Sequence, residues 1–380
     1  MNVANIIEEA RIGGPQIRIV RVAQNMKKLG IKTFVFMPKR NSKDFYKLCK
    51  ENDLQVEFLE ISNVGKKLFT ILKYFFSFIF DIFEIKKKIK KYKIDLIHIS
   101  GGSWQIKGVI VGKLLKIPTI WHINDTKMPW IILKVFKFLS SYVDGFIFAS
   151  NKSFLTYKIN KKIPCTIIPS TLDTKYFHKN VVKTKNLINS KLLKKRLVVT
   201  VANISPVKNL ECLVYSLNHL KKSMRNIHFL IVGDTFESQL NYKKKILNLV
   251  KNFNLNQNIS FLGKKKDIRY FLKISEIYVC TSNFESSPIS IWEAMSMELP
   301  IISTNVGDLK KFIKNDKNGY LVKKDDFKNI SKKINYLMLN KKKMRKFGKI
   351  NRKLVVNNFS VDIISKKTIN FYNSVLNAES

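Results

Sequence analysis

The run Cys280-Thr-Ser-Asn-Phe-Glu-Ser-Ser-Pro-Ile-Ser-Ile-Trp-Glu-Ala-Met-Ser-Met-Glu-Leu-Pro300 reads as a buried strand passing straight into a helix. Ile277 to Thr281 is an apolar run of strand length, Ser286 or Ser287 can cap, and Pro288 suits a first helical turn. Ile291, Trp292 and Met295 then recur at helical spacing. A helix N-terminus is thereby set at the C-terminal end of a strand. Its free backbone N–H groups and positive dipole end suit a phosphate, and an open α/β sheet usually binds its ligand at that edge.

Glu285 precedes this helix and Glu293 lies within it, separated by residues 286–292, so both carboxylates can approach one ligand bound over the helix start. A carboxylate accepts two hydrogen bonds from a vicinal diol; a pair flanking a diphosphate site therefore suits a sugar at one end and a ribose at the other. The plainer reading has Glu285 capping the helix and Glu293 solvated on its surface.

The rest of the chain forms two series of parallel-type strands with helical crossovers. The first starts with Asn2–Ile7, a glycine turn through Gly13 and Gly14, a helix over Ile17–Leu29 ending at Gly30, and a strand Lys32–Met37. Two adjacent glycines let backbone approach a ligand. They do not make the three-glycine dinucleotide fingerprint, so a nicotinamide cofactor is disfavoured. Strands follow at Asp95–Ser100, Thr119–Asn124, Gly145–Ser150 and Cys165–Ser170. The second strand ends in Trp121-His-Ile-Asn-Asp-Thr126, where His122 either serves a site at the strand tips or hydrogen-bonds a neighbouring loop. Lys179–Arg196 is polar and basic and reads as a linker. The second series opens with the strand and loop Leu197-Val-Val-Thr-Val-Ala-Asn-Ile-Ser-Pro-Val-Lys-Asn209, in which Lys208 can neutralise a departing diphosphate or simply be one more surface charge. Strands His228–Val232 and Asn258–Leu262 lead to the opening run, and Pro300–Gly307 and Asn318–Val322 follow it.

This ordered series resembles the retaining glycosyltransferases of family 4. The resemblance rests on the Glu285 to Glu293 spacing, Ala294-Met295, the Pro300-initiated strand and the Asn318-Gly319 turn, supported by His122 after a Pro-initiated strand and by Lys208. It implies a GT-B fold, two Rossmann-like domains with parallel sheets facing a central cleft. It implies catalytic roles for His122 near the donor sugar, Lys208 on the phosphate and Glu285 on the sugar. The donor-binding set it implies is Gly13, Gly14, Asn203, Lys208, Ser287, Pro288, Ile289, Ser290 and Glu293, the last on the nucleotide ribose. Asn203 stands where the family commonly has Arg, Thr171 where it has Gly, and Lys311 where it often has Glu.

The expected domains are 1–178, a linker 179–196, 197–360, and a C-terminal helix 361–380 that packs back on the first domain. A chain of 380 residues with 45% hydrophobic content can build both cores. Cys49, Cys165, Cys212 and Cys280 are scattered without paired spacing, which points to a reducing compartment and away from a zinc site. Met1 leads into a short strand, with no basic and then apolar leader, so a cytoplasmic location is expected, with the inner membrane face as the place of work.

The net charge of +43 favours nucleic acid or an anionic membrane, and no RNP-type motif, helix-turn-helix or zinc finger supports a specific nucleic-acid partner. Leu68–Lys91 is a Phe-rich helix with a basic end, read first as core and second as an interfacial surface; Trp130–Leu139 has the same character. The expected reaction is glycosyl transfer from a nucleotide sugar to a hydroxyl of a glycan or lipid-linked acceptor in cell-surface polysaccharide synthesis, with retention, no cofactor and no metal, since no Asp-x-Asp occurs. The alternative is a non-catalytic basic protein on a transferase scaffold that binds membrane or nucleic acid.

Overall fold

Ile- and Val-rich runs buried on both faces are what a parallel sheet requires, and two such sheets form the chain. The computed structural model describes residues 1–62, 68–126, 128–182 and 188–378. These divide into two units, Met1–Thr171 with Val361–Ser380, and Leu172–Ser360.

In the first unit the strands are β1 (Asn2–Ile6), β2 (Lys32–Pro38), β3 (Gln55–Leu59), β4 (Leu96–Gly101), β5 (Thr119–Ile123), β6 (Gly145–Phe148) and β7 (Cys165–Ile167). They pair in parallel in the order β3-β2-β1-β4-β5-β6-β7. The helices before the unit boundary are α1 (Gly14–Lys27), α2 (Lys43–Lys50), α3 (Leu68–Ile89), α4 (Lys107–Leu115), α5 (Trp130–Leu139) and α6 (Asn151–Tyr157). Every residue of β4 is buried, which is why its sequence lacks polar alternation.

The second unit contains β8 (Arg196–Val201), β9 (Ile227–Val232), β10 (Ile259–Phe261), β11 (Ile277–Cys280), β12 (Ile301–Thr304) and β13 (Gly319–Val322), in the order β10-β9-β8-β11-β12-β13. Its helices are α7 (Ser190–Leu193), α8 (Leu210–Lys221), α9 (Leu240–Asn252), α10 (Arg269–Ile274), α11 (Ile289–Ser296), α12 (Leu309–Phe312), α13 (Phe327–Leu339) and α14 (Lys341–Phe359). Val198, Phe229 and Val279 point into one core layer, while Leu197, Val199, Leu230 and Tyr278 point into the other, as period-2 alternation in a twice-covered sheet demands. Finally α15 (Val361–Leu376), with the bounds read from the sequence, returns to the first unit and lies on α1. There Ile364, Phe371, Tyr372 and Val375 share a core layer with Val3, Leu96, Ile120 and Ile147.

Several elements differ from the expectation. Residues 172–178 go with the second unit: Leu172 N–H donates to Phe359 O, and Leu172 and Phe177 lie in that unit's core. Strand β3 was not anticipated, and α1 begins at Gly14, earlier than Ile17, because Pro15 fits its first turn. The segment read as a linker holds the one-turn α7, and Arg196 already belongs to β8; residues 183–187 of that segment lie outside the described residues. Neither Ser286 nor Ser287 caps α11, whose N-cap residue is Pro288 with no side-chain cap.

The largest departure concerns α3. Its inner face packs Ile82, Ile85 and Ile89 into the core, while Phe75, Phe76, Phe80 and Phe83 are 62–79% exposed. The core reading of this Phe-rich helix is therefore overturned for its outer face. On α5 Phe136 is buried, yet Trp130, Ile131 and Phe138 are exposed. Among the described residues no helix is long and apolar enough to cross a membrane.

What holds α3 in place is a buried ion cluster. Lys107, at the first position of α4 and wholly buried, sets its ammonium 2.8 Å from Asp81 of α3 and 3.7 Å from Glu8, and donates to Ser62 O. Glu8 Oε1 also accepts the Lys107 backbone N–H at 3.0 Å. Burial pushes the Glu8 carboxyl up to about 7, against the opposing pull of Lys107. The loop after β1 is thereby tied to both helices, and breaking such a pair by removing one partner costs about 3–5 kcal/mol because a buried charge is left alone.

Candidate functional site

In each sheet the strand order reverses between neighbours of which one, β1 or β8, comes first in its series: β1 and β4 in the first unit, β8 and β11 in the second. Loops leaving the C-terminal ends of such a pair diverge to opposite faces, and ligands of open α/β sheets bind between them. The sequence-read residues of the second unit lie on these loops and on α11, the helix that follows the second of them.

After β8 the chain passes Asn203, which is exposed, and turns through a short 3-10 segment at Pro206–Lys208. Asn209 follows with φ 50°, caps α8 by accepting from Cys212 N–H, and donates to Asp325 Oδ1 at 2.7 Å. After β11 the loop carries Glu285. The two loops are stitched together: Thr281 Oγ1 donates to Lys208 O at 2.9 Å, and Asn283 N–H donates to Val207 O at 2.8 Å. The Lys208 ammonium then reaches Glu285 Oε1 at 2.5 Å, and Ser282 Oγ donates to the same oxygen at 2.9 Å. Burial pulls the Lys208 proton affinity down, and the charge and hydrogen bond of Glu285 outweigh it, so the ammonium holds its proton more firmly than an ordinary lysine.

Glu285 is thus no helix cap, and its lysine partner comes from a loop 77 residues earlier. Glu293 is buried on α11, which removes the reading of it as a solvated surface group. Ser287 Oγ accepts from Trp292 Nε1 at 3.2 Å, and Ser290 Oγ pairs with Tyr278 Oη at 2.9 Å, so the first turn of α11 is braced from below. Pro288 and Ile289 complete that turn. Trp292 stacks on Phe359 of α14 with ring centroids 4.0 Å apart, which anchors the helix.

Two glycines let these loops sit where they do. At Gly307, with φ 53°, a Cβ would lie 2.2 Å from Ser286 O and 3.2 Å from Glu285 O. At Gly233, with φ 140°, it would lie 2.1 Å from Ala202 O, under the Asn203 loop. Sequence reading did not single out Gly307; its signal was a lone Gly closing the turn after a buried strand. Lys311, which replaces an expected Glu, pairs at 3.5 Å with Asp308 and has an exposed side chain.

In the first unit Gly13 is the N-cap residue of α1, with extended backbone at φ −160°, and Gly14 is the first helical residue. His122 lies near the end of β5 and is fully buried. Its partner is not a loop but a second histidine, His98 of β4, with Nδ1 3.2 Å from His98 Nε2. Burial first, and then the nearby charge of Arg18, hold both imidazoles well below the usual histidine range, so both are neutral. Sequence reading missed His98, Arg18 and Tyr372. A pattern was present, because His98 and His122 fall on neighbouring strands with the same facing parity.

Two family models cover most of the chain, Glycosyltransferase Family 4 over residues 12–175 and Glycosyl transferases group 1 over residues 183–354. The chain belongs to these family 4 glycosyltransferases and has their GT-B fold. It is 24% identical over 373 residues to the UDP-Gal:alpha-D-GlcNAc-diphosphoundecaprenol alpha-1,3-galactosyltransferase of Escherichia coli, covering 91% of this chain and 92% of that one. It is 25% identical over 351 residues to the alpha-monoglucosyldiacylglycerol synthase of Acholeplasma laidlawii, covering 83% and 82%. Among solved structures, Anabaena Alr3699/HepE in complex with UDP-glucose matches with a TM-score of 0.84 at 16% identity, over 98% of this chain and all of that one.

The contact at Gly307 makes a test of how the Glu285 loop is held. Gly307→Ala forces residues 285–286 outward and strains a left-handed backbone, at a stability cost of about 1–3 kcal/mol. The expected kinetic result is a loss of at least about tenfold in kcat/KM, since small misplacements of positioning groups have effects of that order or more. A folded Gly307→Ala protein with unchanged transfer would show that this packing does not position the loop.

Proposed function

We propose that the chain transfers a glycosyl group from a nucleoside-diphosphate sugar to a hydroxyl of a glycan or lipid-linked acceptor, with retention of configuration and without a metal ion, in cell-surface polysaccharide or glycolipid synthesis. The observation that carries this reading is the Lys208–Glu285 pair beside the start of α11, at the reversal point of the second sheet.

Cleavage of the glycosidic bond leaves charge on the departing diphosphate. Lys208, whose proton is firmly held, supplies a fixed positive charge, and the α11 N-terminus, entered through Pro288, supplies the backbone N–H groups of Ser287, Ile289 and Ser290 and the helix dipole. Both are in place before reaction, so they cost no reorganisation as the charge develops. The short Lys208–Glu285 contact leaves Glu285 one oxygen to offer a sugar hydroxyl, while Glu293 on the same helix serves the ribose diol. Asn203 has no charge to add to the phosphate, so Lys208 carries that role alone on its loop. Support for a uridine nucleotide comes from the Anabaena complex with UDP-glucose and from the E. coli relative named for UDP-Gal. The test is transfer in EDTA with the anomer of the product read by NMR. Unimpaired transfer giving the donor's own anomeric configuration is expected. Loss of activity that magnesium or manganese restores, or an inverted product, would contradict the proposal.

The exposed aromatic rows of α3 and α5 fit an anionic bilayer at the inner membrane face. Phe75, Phe76, Phe80 and Phe83 are exposed along α3, whose last turn carries Lys86, Lys87 and Lys88, and on α5 the Lys134 ammonium lies over the Trp130 ring. Apolar side chains at the acyl boundary and lysines at about 1 kcal/mol each near anionic headgroups give reversible attachment without a spanning helix. Both relatives named above carry a lipid in their names, diphosphoundecaprenol and diacylglycerol. Flotation with anionic vesicles is expected at physiological salt, to be abolished by Phe76→Ser with Phe80→Ser and to survive excess duplex DNA. Absence of flotation, or full displacement by DNA, would refute the docking face.

A further inference from the structure

Beneath α15 a polar layer crosses the apolar core of the first unit, and it contains His122. Tyr372 of α15 sets its Oη 2.5 Å from His98 Nδ1; His98 Nε2 lies 3.2 Å from His122 Nδ1; and His122 Nε2 is buried with no hydrogen-bond partner among the described residues. All three residues are almost completely buried. Arg18 of α1 lies close enough for its charge to act on all three rings, and it donates to Thr368 Oγ1 at 3.3 Å.

A neutral imidazole carries one donor and one acceptor nitrogen, so three groups in series can be polarised in only two ways. If Tyr372 donates, His98 accepts at Nδ1 and donates from Nε2, His122 accepts at Nδ1, and the proton of His122 is on Nε2. If Tyr372 accepts, every bond reverses, and His122 Nε2 is left as a bare lone pair.

Two observations choose between them. Burial keeps the Tyr372 phenol protonated, while the charge of Arg18 polarises it toward donation. An imidazole nitrogen is also a far stronger base than a phenol oxygen, so the O–H···N direction is the better bond. A cation beside both rings disfavours a third, protonated state of either imidazole.

We propose that Tyr372 and His98 are positioning residues that lock His122 as its Nε2–H tautomer, so that it presents a hydrogen-bond donor, and not a base, to a ligand oxygen at the strand ends of the first unit. This rests on the reading of His122 as a site residue. It also gives the return of α15 to the first unit a chemical role, since the last group of the series is on that helix. The unpartnered Nε2 is the open end of the series, for a buried imidazole N–H left unpaired is costly until something accepts from it.

The experiment is nitrogen-15 NMR of the full chain labelled at histidine, near neutral pH, where two-bond couplings report which ring nitrogen is protonated. The His122 signals are assigned by their loss in His122→Gln. In the wild type His122 is expected as a single Nε2–H tautomer, and Tyr372→Phe, which keeps the ring and its packing, is expected to leave His122 as a mixture. With this should go a loss of about tenfold in kcat/KM for the donor, the size usual for removing a group that orients a site residue. His98→Gln, which can both accept and donate, is expected to retain most of the activity that His98→Leu loses. An Nδ1–H or mixed tautomer in the wild type, or a tautomer unmoved by Tyr372→Phe, would overturn the relay. If the tautomer behaves as stated while His122→Gln transfers normally, it is the site role of His122 that falls.

Discussion

When every strand of a sheet runs the same way, the chain must cross back over a face of the sheet after each one, and all C-terminal strand ends collect along one edge. Both units of this protein obey that constraint, and the chemistry follows from it. The loops after β8 and β11 leave the same edge on either side of the order reversal, so Lys208 and Glu285 meet although 77 residues separate them. In the first unit β4 and β5 are adjacent, and the same parallel register brings His98 and His122 together. Helix starts, with their unpaired N–H groups, are set at this edge by the same winding rule.

The sequence was most legible where local chemistry and topology agree. The strand and helix at Ile277–Ser296 announced themselves through an apolar run, a proline and helical periodicity, and the spacing from Glu285 to Glu293 marked the acidic pair on that stretch. The α15 bounds were readable because Val361–Leu376 is a long amphipathic run. What could not be read depended on distant partners. Whether Glu293 faces solvent or core is decided by the packing of α11, and whether the Phe-rich face of α3 is covered is decided by what else the fold can spare to cover it. Tyr372 lies 274 residues from His98, and nothing in the local sequence of α15 signals a hydrogen bond to a strand. Gly307 looked like any turn glycine, because its requirement comes from a carbonyl of another loop.

Charge needs the same distinction between bulk and place. The +43 net charge is spread through the chain and says little about partners. The informative cations are few and located: Lys208 on the loop after β8, Arg18 bonded to the Thr368 hydroxyl in the core, and Lys107 locked between Asp81 and Glu8. Each is defined by what surrounds it. Lys107 holds the inner face of the helix whose outer face is bare and aromatic, so the surface proposed for a bilayer is rigidly backed.

The central claim is that Glu285 and Glu293 divide the donor between them, sugar to the first and ribose to the second. Calorimetric titration of free UDP into the wild type, Glu285→Gln and Glu293→Gln tests it most directly, because UDP carries the ribose and lacks the transferred glycosyl group. Glu293→Gln is expected to weaken UDP binding by about 1.5–3 kcal/mol, the range for hydrogen bonds to a charged group, while Glu285→Gln leaves it nearly unchanged yet lowers transfer. Equal losses of UDP affinity in the two variants, or a loss confined to Glu285→Gln, would contradict the account.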